Sequence, residues 1–193
     1  MAFETEVITY ISRLQRLLEK IDAGEVSKVA EVLLDAYEKG RGVFIIGNGG
    51  SAATASHFAC DLVKTVAKKT PLKFRVQSLT DNVPWMTAIS NDSSYEEVFI
   101  EQLEHCVEPG DVVVAISASG KSPSILRAVT YAREIGAMCI AFVGFEGGPL
   151  QQLSHLSLWV SCKEYGPVED IHLIFEHILT DLIRRHLCNK EES

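Results

Sequence analysis

Residues 4–39 carry apolar side chains at helical spacing, with charged residues between them. Apolar positions three or four residues apart predict an amphipathic helix; here they are Val7, Ile11, Leu14, Leu17, Leu18 and Ile21. A break near Asp22–Gly24 divides the segment into two helices, the second of which carries Val29, Val32, Leu33 and Ala36. Because this helical pair precedes any strand, we expect it to pack on the domain or on another subunit.

After residue 41 the pattern changes to short apolar runs that alternate with helical stretches. A continuous apolar run bounded by turn residues is typical of a strand covered on both faces. Such runs predict strands at 42–46, 73–79, 111–116, 138–143 and 157–161. The stretches between and after them predict helices at 52–66, 95–106, 123–135 and 168–188, with a short helix or turn at 86–90. Alternating strands and helices predict an α/β fold, a three-layer sandwich with a central parallel sheet flanked by helices.

Two glycine- and serine-rich turns follow the first and the third predicted strands. Gly47–Ser51 lets the backbone approach a ligand closely, and Ser117–Ser122 offers three hydroxyls before a helix that begins at Pro123. The free N–H groups and the dipole at that helix N-terminus attract an anion. Carboxyl ends of parallel strands share one edge, where ligands bind. The two turns together predict a phosphate site, whereas a single such turn is also compatible with a plain strand-to-helix connection. The spacing argues against a nucleotide P-loop.

Composition narrows the class of protein. The chain has 193 residues, enough for one domain with its own core, and 18 basic against 26 acidic residues give a net charge of −8. That balance excludes a broad nucleic-acid surface, which needs a basic face. The five cysteines are widely spaced and predict buried reduced thiols, which fits the cytoplasm. No run approaches the ~18 apolar residues of a membrane span, so no membrane partner is expected.

Four segments in combination resemble the sugar isomerase (SIS) domain and, within it, the phosphoheptose isomerases. They are GNGGSAATASHFACDL (47–62), the pair Asn91-Asp92, AISASGKS (115–122) and VEDIHLIFEHIL (168–179). The resemblance implies a single flavodoxin-like SIS domain over 1–193, with a helical extension (1–39) and an α/β core (40–193). It also implies a homotetramer in which the N-terminal helices pack and whose active sites are built from more than one subunit. The implied reaction interconverts sedoheptulose 7-phosphate and D-glycero-manno-heptose 7-phosphate by proton transfer through an enediol.

The resemblance also assigns roles by position. It implies that Ser117, Ser119 and Ser122 bind the phosphate and that Asn48, Ser51 and Asp92 contact the sugar. Gly49, Gly50, Asn91, Ala118 and Glu169 complete the predicted substrate site. At the reacting end, Asp61, Glu169 and His177 are the predicted catalytic residues, and some members of the family hold zinc with the positions of His57, Asp61, Glu169 and His177.

The residue types themselves suit this chemistry. His57 and Asp61 stand four apart on a predicted helix and therefore share a face. Isomerisation needs a base for the carbon-bound proton and an acid for the oxygens, roles that a carboxylate and an imidazole can fill. Two histidines and two carboxylates are also plausible zinc ligands.

The chain departs from the family pattern at three positions. The family usually has glutamate at Asp61, glutamine at Glu169 and asparagine at Lys121, which here either pairs with the phosphate or is solvated. The remaining candidates are interpreted as bystanders: His172 as structural or supporting, Glu176 as an exposed residue or an interface contact, and His105, His155 and His186 as exposed residues.

Two other functions compete with the isomerase. One is a non-catalytic phosphosugar-binding protein, since one branch of the family serves as an adaptor for the replication initiator. That branch lacks the histidine that stands here at position 177, so His177 favours the enzyme. The other is isomerase or deaminase action on an amino-sugar phosphate, whose members usually carry additional domains.

Overall fold

The computed structural model describes residues 2–66 and 73–191. Its helices are α1 (Ala2–Leu18), α2 (Ala23–Glu38), α3 (Gly50–Asp61), α4 (Val83–Asp92), α5 (Ile100–Cys106), α6 (Pro123–Glu134), α7 (Gly148–Leu153) and α8 (Tyr165–Glu191). Its strands are β1 (Gly42–Gly47), β2 (Arg75–Ser78), β3 (Val112–Ser117), β4 (Met138–Val143) and β5 (Leu156–Trp159). All pairings are parallel, in the order β2-β1-β3-β4-β5, which confirms the predicted α/β sandwich.

The central strands are apolar because both faces of the sheet are covered. Every residue of β1 and β3 is buried. On one face α2, α3 and α8 pack over the sheet, and on the other α5 and α6 do so. The order reverses between β1 and β3, which pair directly with Gly47 opposite Ile116. That reversal opens a crevice at the carboxyl edge, where ligands of such sheets bind.

Several element boundaries differ from the prediction. The helix predicted over 52–66 ends as α3 at Asp61 and continues as a π-helical turn over Leu62–Val66. The helix predicted over 95–106 is a 3₁₀ turn, Tyr95–Glu97, followed by α5. The run 73–79 yields the four-residue β2, which lies at the sheet edge and pairs only with β1 within the described part of the chain. The short helix α7 was not predicted. Its N-cap residue Gly147 and the Pro149 of its first turn are residue types that usually indicate a loop.

The prediction of buried cysteines was wrong in part. Cys139 is buried in β4, but Cys60 is exposed on α3, and the others are partly exposed. Burial raises the pKa of the Cys139 thiol to about 12, so it is an inert core residue. Across the described ranges, no helix combines the length and the apolar character that a membrane crossing needs.

The N-terminal helix α1 docks on the start of α8 through polar contacts. The Tyr10 hydroxyl donates to Asp170 Oδ2 at 2.6 Å, and Arg13 pairs with Glu164. The carboxylate acceptor raises the pKa of Tyr10 to about 12. Other apolar side chains of α1 remain exposed to solvent: Phe3, Val7, Ile8 and Ile11.

Candidate active site

A cavity of about 140 Å³, the strand-end pocket, lies at the carboxyl ends of β1 and β3. It is lined by Asn48, Ser51, Ile116, Ser117, Ala118, Ser119, Ser122, Tyr165 and Glu169. All of these except Ile116 and Tyr165 are predicted substrate residues. Serine hydroxyls and main-chain N–H groups are the donors that cradle a phosphate without adding positive charge. The structure therefore brings most of the predicted substrate residues into one small polar cavity.

Asn48 joins the two turns that form this pocket. Its Nδ2 donates to Ser122 Oγ at 2.8 Å and to Ser124 Oγ at 3.0 Å, while Tyr95 donates to its Oδ1 at 2.7 Å. Ser122 is the N-cap residue of α6, and its side chain makes no capping bond. Because its oxygen accepts from Asn48, its hydroxyl proton is left for a ligand in the pocket.

The turn after β3 is held by main-chain contacts with the turn after β4. Gly120 has φ of 63°, and its carbonyl accepts from Leu150 N at 3.1 Å. A Cβ on Gly120 would overlap the carbonyl of Gly147, and a Cβ on Gly148 would lie 2.6 Å from the oxygen of Gly120. Only glycine fits at these crossing points, so the backbone of the turn is fixed before any ligand arrives.

Five other residues that the sequence singled out lie outside the lining of this pocket. Asn91 and Asp92 are exposed at the end of α4, where the Asn91 amide donates to Asp92 at 2.8 Å. Lys121 is exposed at the tip of its turn. Gly49 and Gly50 begin α3 beside the pocket, and Gly49 has φ of 56°. A Cβ on Gly50 would overlap the Glu169 carboxylate, so glycine at this position makes room for that side chain.

A second cluster, the α3–α8 group, consists of His57, Asp61, Glu176 and His177. Asp61 Oδ2 lies 3.6 Å from Nε2 of His57, whose Nδ1 is 3.5 Å from Glu176 Oε1. His177 Nε2 lies 3.2 Å from the same Glu176 oxygen, and the two imidazole rings meet edge to face at 5.1 Å. His57 and Asp61 share a face of α3, as their spacing predicted.

Parallel packing of the two helices explains why the group forms. Gly50 of α3 meets Glu169 of α8, and seven residues further along each helix His57 meets Glu176. Glu169 therefore lies two turns away from the α3–α8 group and is not a member of it. The carboxylate that joins the two histidines and Asp61 is Glu176.

The interpretation of Glu176 as an exposed or interface residue was wrong, because this side chain is 0% exposed. Burial, reinforced by the nearby Asp61 carboxylate, raises the pKa of Glu176 to about 7. The Thr180 side chain is near enough to oppose this rise in pKa, although within the described residues no hydrogen bond to either carboxylate oxygen has full geometry. A carboxylate buried without donors is costly unless something else compensates its charge.

The group has the composition of a metal site. Taking one donor atom from each residue, the four atoms lie within 4.8 Å of one another. Two imidazoles and two carboxylates are ligands that a divalent metal such as zinc accepts, and a cation here would favour the ionised form of the buried Glu176 carboxyl. His57 and His177 are about half exposed, at 44% and 51% of the side chain, so the site opens on one side to solvent.

His172 lies next to the group on α8 but has a different environment. It is buried between Phe142 and Phe175, whose ring centroids lie 6.0 and 6.4 Å away. This burial lowers the pKa of His172 to about 4, so the ring is neutral near pH 7. The structural role predicted for His172 agrees with its place in the core.

Sequence reasoning missed Glu176, Tyr95 and Tyr165. A signal for Glu176 exists in α8, where the apolar row Ile171, Phe175 and Leu179 is flanked by a polar row at the same spacing. That polar row is His172, Glu176 and Thr180, and all three residues are buried. Buried polar residues that repeat every four positions beside an apolar stripe indicate a lined site.

Comparison with known proteins agrees with this geometry. A family model described as the SIS domain matches residues 9–144, which is more than half of the chain. The chain therefore belongs to the SIS domain family.

Within that family the relatives are more specific. A phosphoheptose isomerase of Geotalea uraniireducens is 34% identical over 185 residues, covering 94% of this chain and 97% of the relative. The structure of a phosphoheptose isomerase from Neisseria gonorrhoeae matches with a TM-score of 0.87 at 28% identity, covering 94% of this chain and 98% of that one. These matches assign the chain to the phosphoheptose isomerase branch. The Vibrio vulnificus NanR protein complexed with ManNAc-6P, at 15% identity and a TM-score of 0.70, covers 100% of this chain and 67% of its own, and shares the fold alone.

Proposed function

We propose that this protein is an aldose–ketose isomerase that interconverts sedoheptulose 7-phosphate and D-glycero-manno-heptose 7-phosphate. The observation that carries the proposal is that one helix, α3, connects the strand-end pocket with the α3–α8 group. From Gly50 to His57 the helix rises roughly 10 Å. A seven-carbon sugar chain bears its phosphate at one end and its reacting carbons at the other. Such a chain can therefore place its phosphate in the pocket and its reacting end at the group.

The strand-end pocket binds and orients the substrate. Ser117, Ser119 and Ser122 donate hydroxyl protons to the phosphate, and the N-terminus of α6 adds its dipole. Asn48 and Ser51 line the same cavity and reach the sugar chain. Glu169 accepts hydrogen bonds from sugar hydroxyls, as the glutamine usual at this position in the family also can. Substrate binding by Asn91 and Asp92 stays a prediction, and so does a catalytic role for Glu169.

At the reacting end, Asp61 and His177 carry the proton transfers. One group must remove the proton from the carbon beside the carbonyl, and another must serve the oxygens. Asp61 is the shorter carboxylate, and it lies beside His57, which orients it. His177 is half exposed and can exchange protons with substrate or solvent.

We infer that zinc is the metal of this site and that His57, Asp61 and His177 are among its ligands. When bound, the ion polarises the substrate carbonyl and so acidifies the neighbouring carbon-bound proton. The fit rests on the nitrogen and oxygen donors of the α3–α8 group and on the buried negative charge of Glu176.

We also propose a homotetramer located in the cytoplasm. The support for the assembly is the exposed apolar side of α1, with Phe3 79% and Ile8 58% exposed, which a second copy would cover. The support for the compartment is the presence of five unpaired cysteines, which a reducing environment maintains.

The decisive experiment incubates the purified chain with sedoheptulose 7-phosphate, with and without added zinc, and follows the product by NMR. We expect conversion to the aldose phosphate, faster with zinc. Binding without turnover in either condition would favour the non-catalytic adaptor, and turnover of an amino-sugar phosphate alone would favour the third function.

A further inference from the structure

We propose that Tyr95 is a positioning residue for the strand-end pocket. It fixes the orientation of the Asn48 amide, and this orientation leaves the hydroxyl proton of Ser122 free to bind the phosphate. The inference deepens the proposed function and rests on it, since Ser122 is there a donor to the phosphate of the sugar. Tyr95 lies outside the lining of the pocket and therefore acts through Asn48.

The first argument is the set of hydrogen bonds that the Asn48 side chain makes. Its Nδ2 donates both protons, to Ser122 Oγ at 2.8 Å and to Ser124 Oγ at 3.0 Å. Its Oδ1 accepts from the Tyr95 hydroxyl at 2.7 Å. In this orientation the oxygen of Ser122 is an acceptor, so its own proton can be donated to an anion in the pocket.

The second argument is that the opposite orientation of the amide would remove a donor from the pocket. If the amide turned over, its Oδ1 would face Ser122 and Ser124, and both serines would donate their protons to it. Ser122 would then have no proton for the phosphate. A phenolic hydroxyl donates a hydrogen bond more readily than it accepts one, because the aromatic ring withdraws electron density from its oxygen. Tyr95 therefore favours the orientation in which the oxygen of Asn48 faces the tyrosine.

The third argument is that the segment carrying Tyr95 is attached to the helix that carries Ser122. Tyr95 begins the 3₁₀ turn Tyr95–Glu97, and Glu97 pairs with Arg127 of α6 at 2.6 Å. The two residues that follow the turn are buried in the core. Although the Tyr95 side chain is 51% exposed, its backbone is thus held in place relative to the N-terminus of α6. The hydroxyl can therefore orient its partner.

The experiment is a double-mutant cycle that measures affinity for sedoheptulose 7-phosphate by calorimetry. Tyr95→Phe removes only the hydroxyl, and Asn48→Ala removes the amide through which the hydroxyl acts. We expect Tyr95→Phe to raise the dissociation constant about fivefold in the wild-type chain, because one hydrogen bond to the phosphate is weakened. In the Asn48→Ala chain the same change should have no further effect, because the two residues act as one unit.

The control and the kinetics sharpen this test. Tyr131→Phe removes a hydroxyl on α6 outside the pocket, and we expect it to bind like wild type. In turnover, Tyr95→Phe should raise KM and leave kcat unchanged. Circular dichroism checks the fold of each variant, and Ser122→Ala takes the place of Asn48→Ala should the latter not fold. Wild-type affinity in Tyr95→Phe would overturn the proposal. An equal loss with and without the Asn48 amide would also overturn it, since Tyr95 would then act by another route.

Binding and turnover test the two proposals separately. Coupling between Tyr95 and Asn48 in a chain that binds sedoheptulose 7-phosphate but never turns it over would overturn the proposed function and leave this inference standing. Turnover without that coupling would overturn this inference and support the proposed function. Should the sugar phosphate not bind, inorganic phosphate followed by ³¹P NMR is the probe for the same cycle, and absence of binding of either would overturn both.

Discussion

The strand-end pocket and the α3–α8 group share helix α3 but are built from different kinds of polar side chain. The pocket consists of hydroxyls, an amide and main-chain groups, with Glu169 as its one carboxylate. The group consists entirely of titratable side chains, one of which, Glu176, is fully buried. Hydroxyl, amide and main-chain donors keep their charge unchanged around neutral pH, whereas the titratable group changes its charge with pH and with metal. Under the proposed function, binding and chemistry are therefore carried by separate structures, which separate substitutions can disturb.

The largest effect is expected from His177→Ala, which breaks the group and leaves the pocket intact. Loss of a proton-transfer residue or metal ligand should lower kcat by about a thousandfold, with little change in fold or assembly. Steady-state kinetics, circular dichroism and gel filtration measure these quantities. His186→Ala, an exposed histidine of the same helix, is the matched control. Full activity in His177→Ala would remove this residue from the mechanism.

The second prediction concerns the pH dependence of stability. Because the folded-state pKa of His172 is lowered from 6.5 to about 4, protonation favours the unfolded chain. Its contribution is fully present above pH 6.5 and is lost as the pH falls toward 4, a change of about 3 kcal/mol. We expect His172→Phe to flatten the free energy of unfolding between pH 6.5 and 4, measured by urea titration. An identical slope in the variant and in wild type would contradict the assignment.

The third prediction breaks the pocket and leaves the group intact. Ser119→Ala removes one hydroxyl donor to the phosphate, worth about 1.4 kcal/mol or a tenfold rise in KM, with kcat little changed. Substrate-saturation kinetics measure both constants. Ser161→Ala changes an exposed serine outside the pocket and serves as the control. A fall in kcat at constant KM would mean that the pocket and the group are not separable.

The smallest effect is expected from Tyr10→Phe, which tests whether helix α1 influences the strand-end pocket. Tyr10 anchors α1 to Asp170, the neighbour of Glu169, through one partly exposed hydrogen bond. Its loss should lower the free energy of unfolding by less than about 1 kcal/mol, because exposed charge-assisted contacts are screened by solvent. Urea denaturation checks the stability, and a large rise in KM would show that α1 positions the substrate residues of α8.

The two regions also differed in how well sequence predicted them. Ser117, Ser119 and Ser122 could be placed together because an apolar run, a turn and Pro123 are local signals, and parallel strand ends share an edge. Glu176 could not be placed, because its role depends on which row of α8 packs against α3. The polar row of His172, Glu176 and Thr180 is visible in the sequence, but until the packing of α3 is known the same row fits a solvent-exposed face equally well. The resemblance implied His57, Asp61, Glu169 and His177, whereas the carboxylates that lie beside the two histidines within the described chain are Asp61 and Glu176.

The crossing of Gly120 with Gly147 and Gly148 has a consequence for the kinetics of binding. A turn locked by neighbouring main chain loses little conformational entropy when a ligand arrives, so its donors need no rearrangement. The association rate of the phosphate should then be set by diffusion and by desolvation, with no slow loop closure. Selectivity among phosphorylated sugars at this end of the substrate would then come from differences in their dissociation rates.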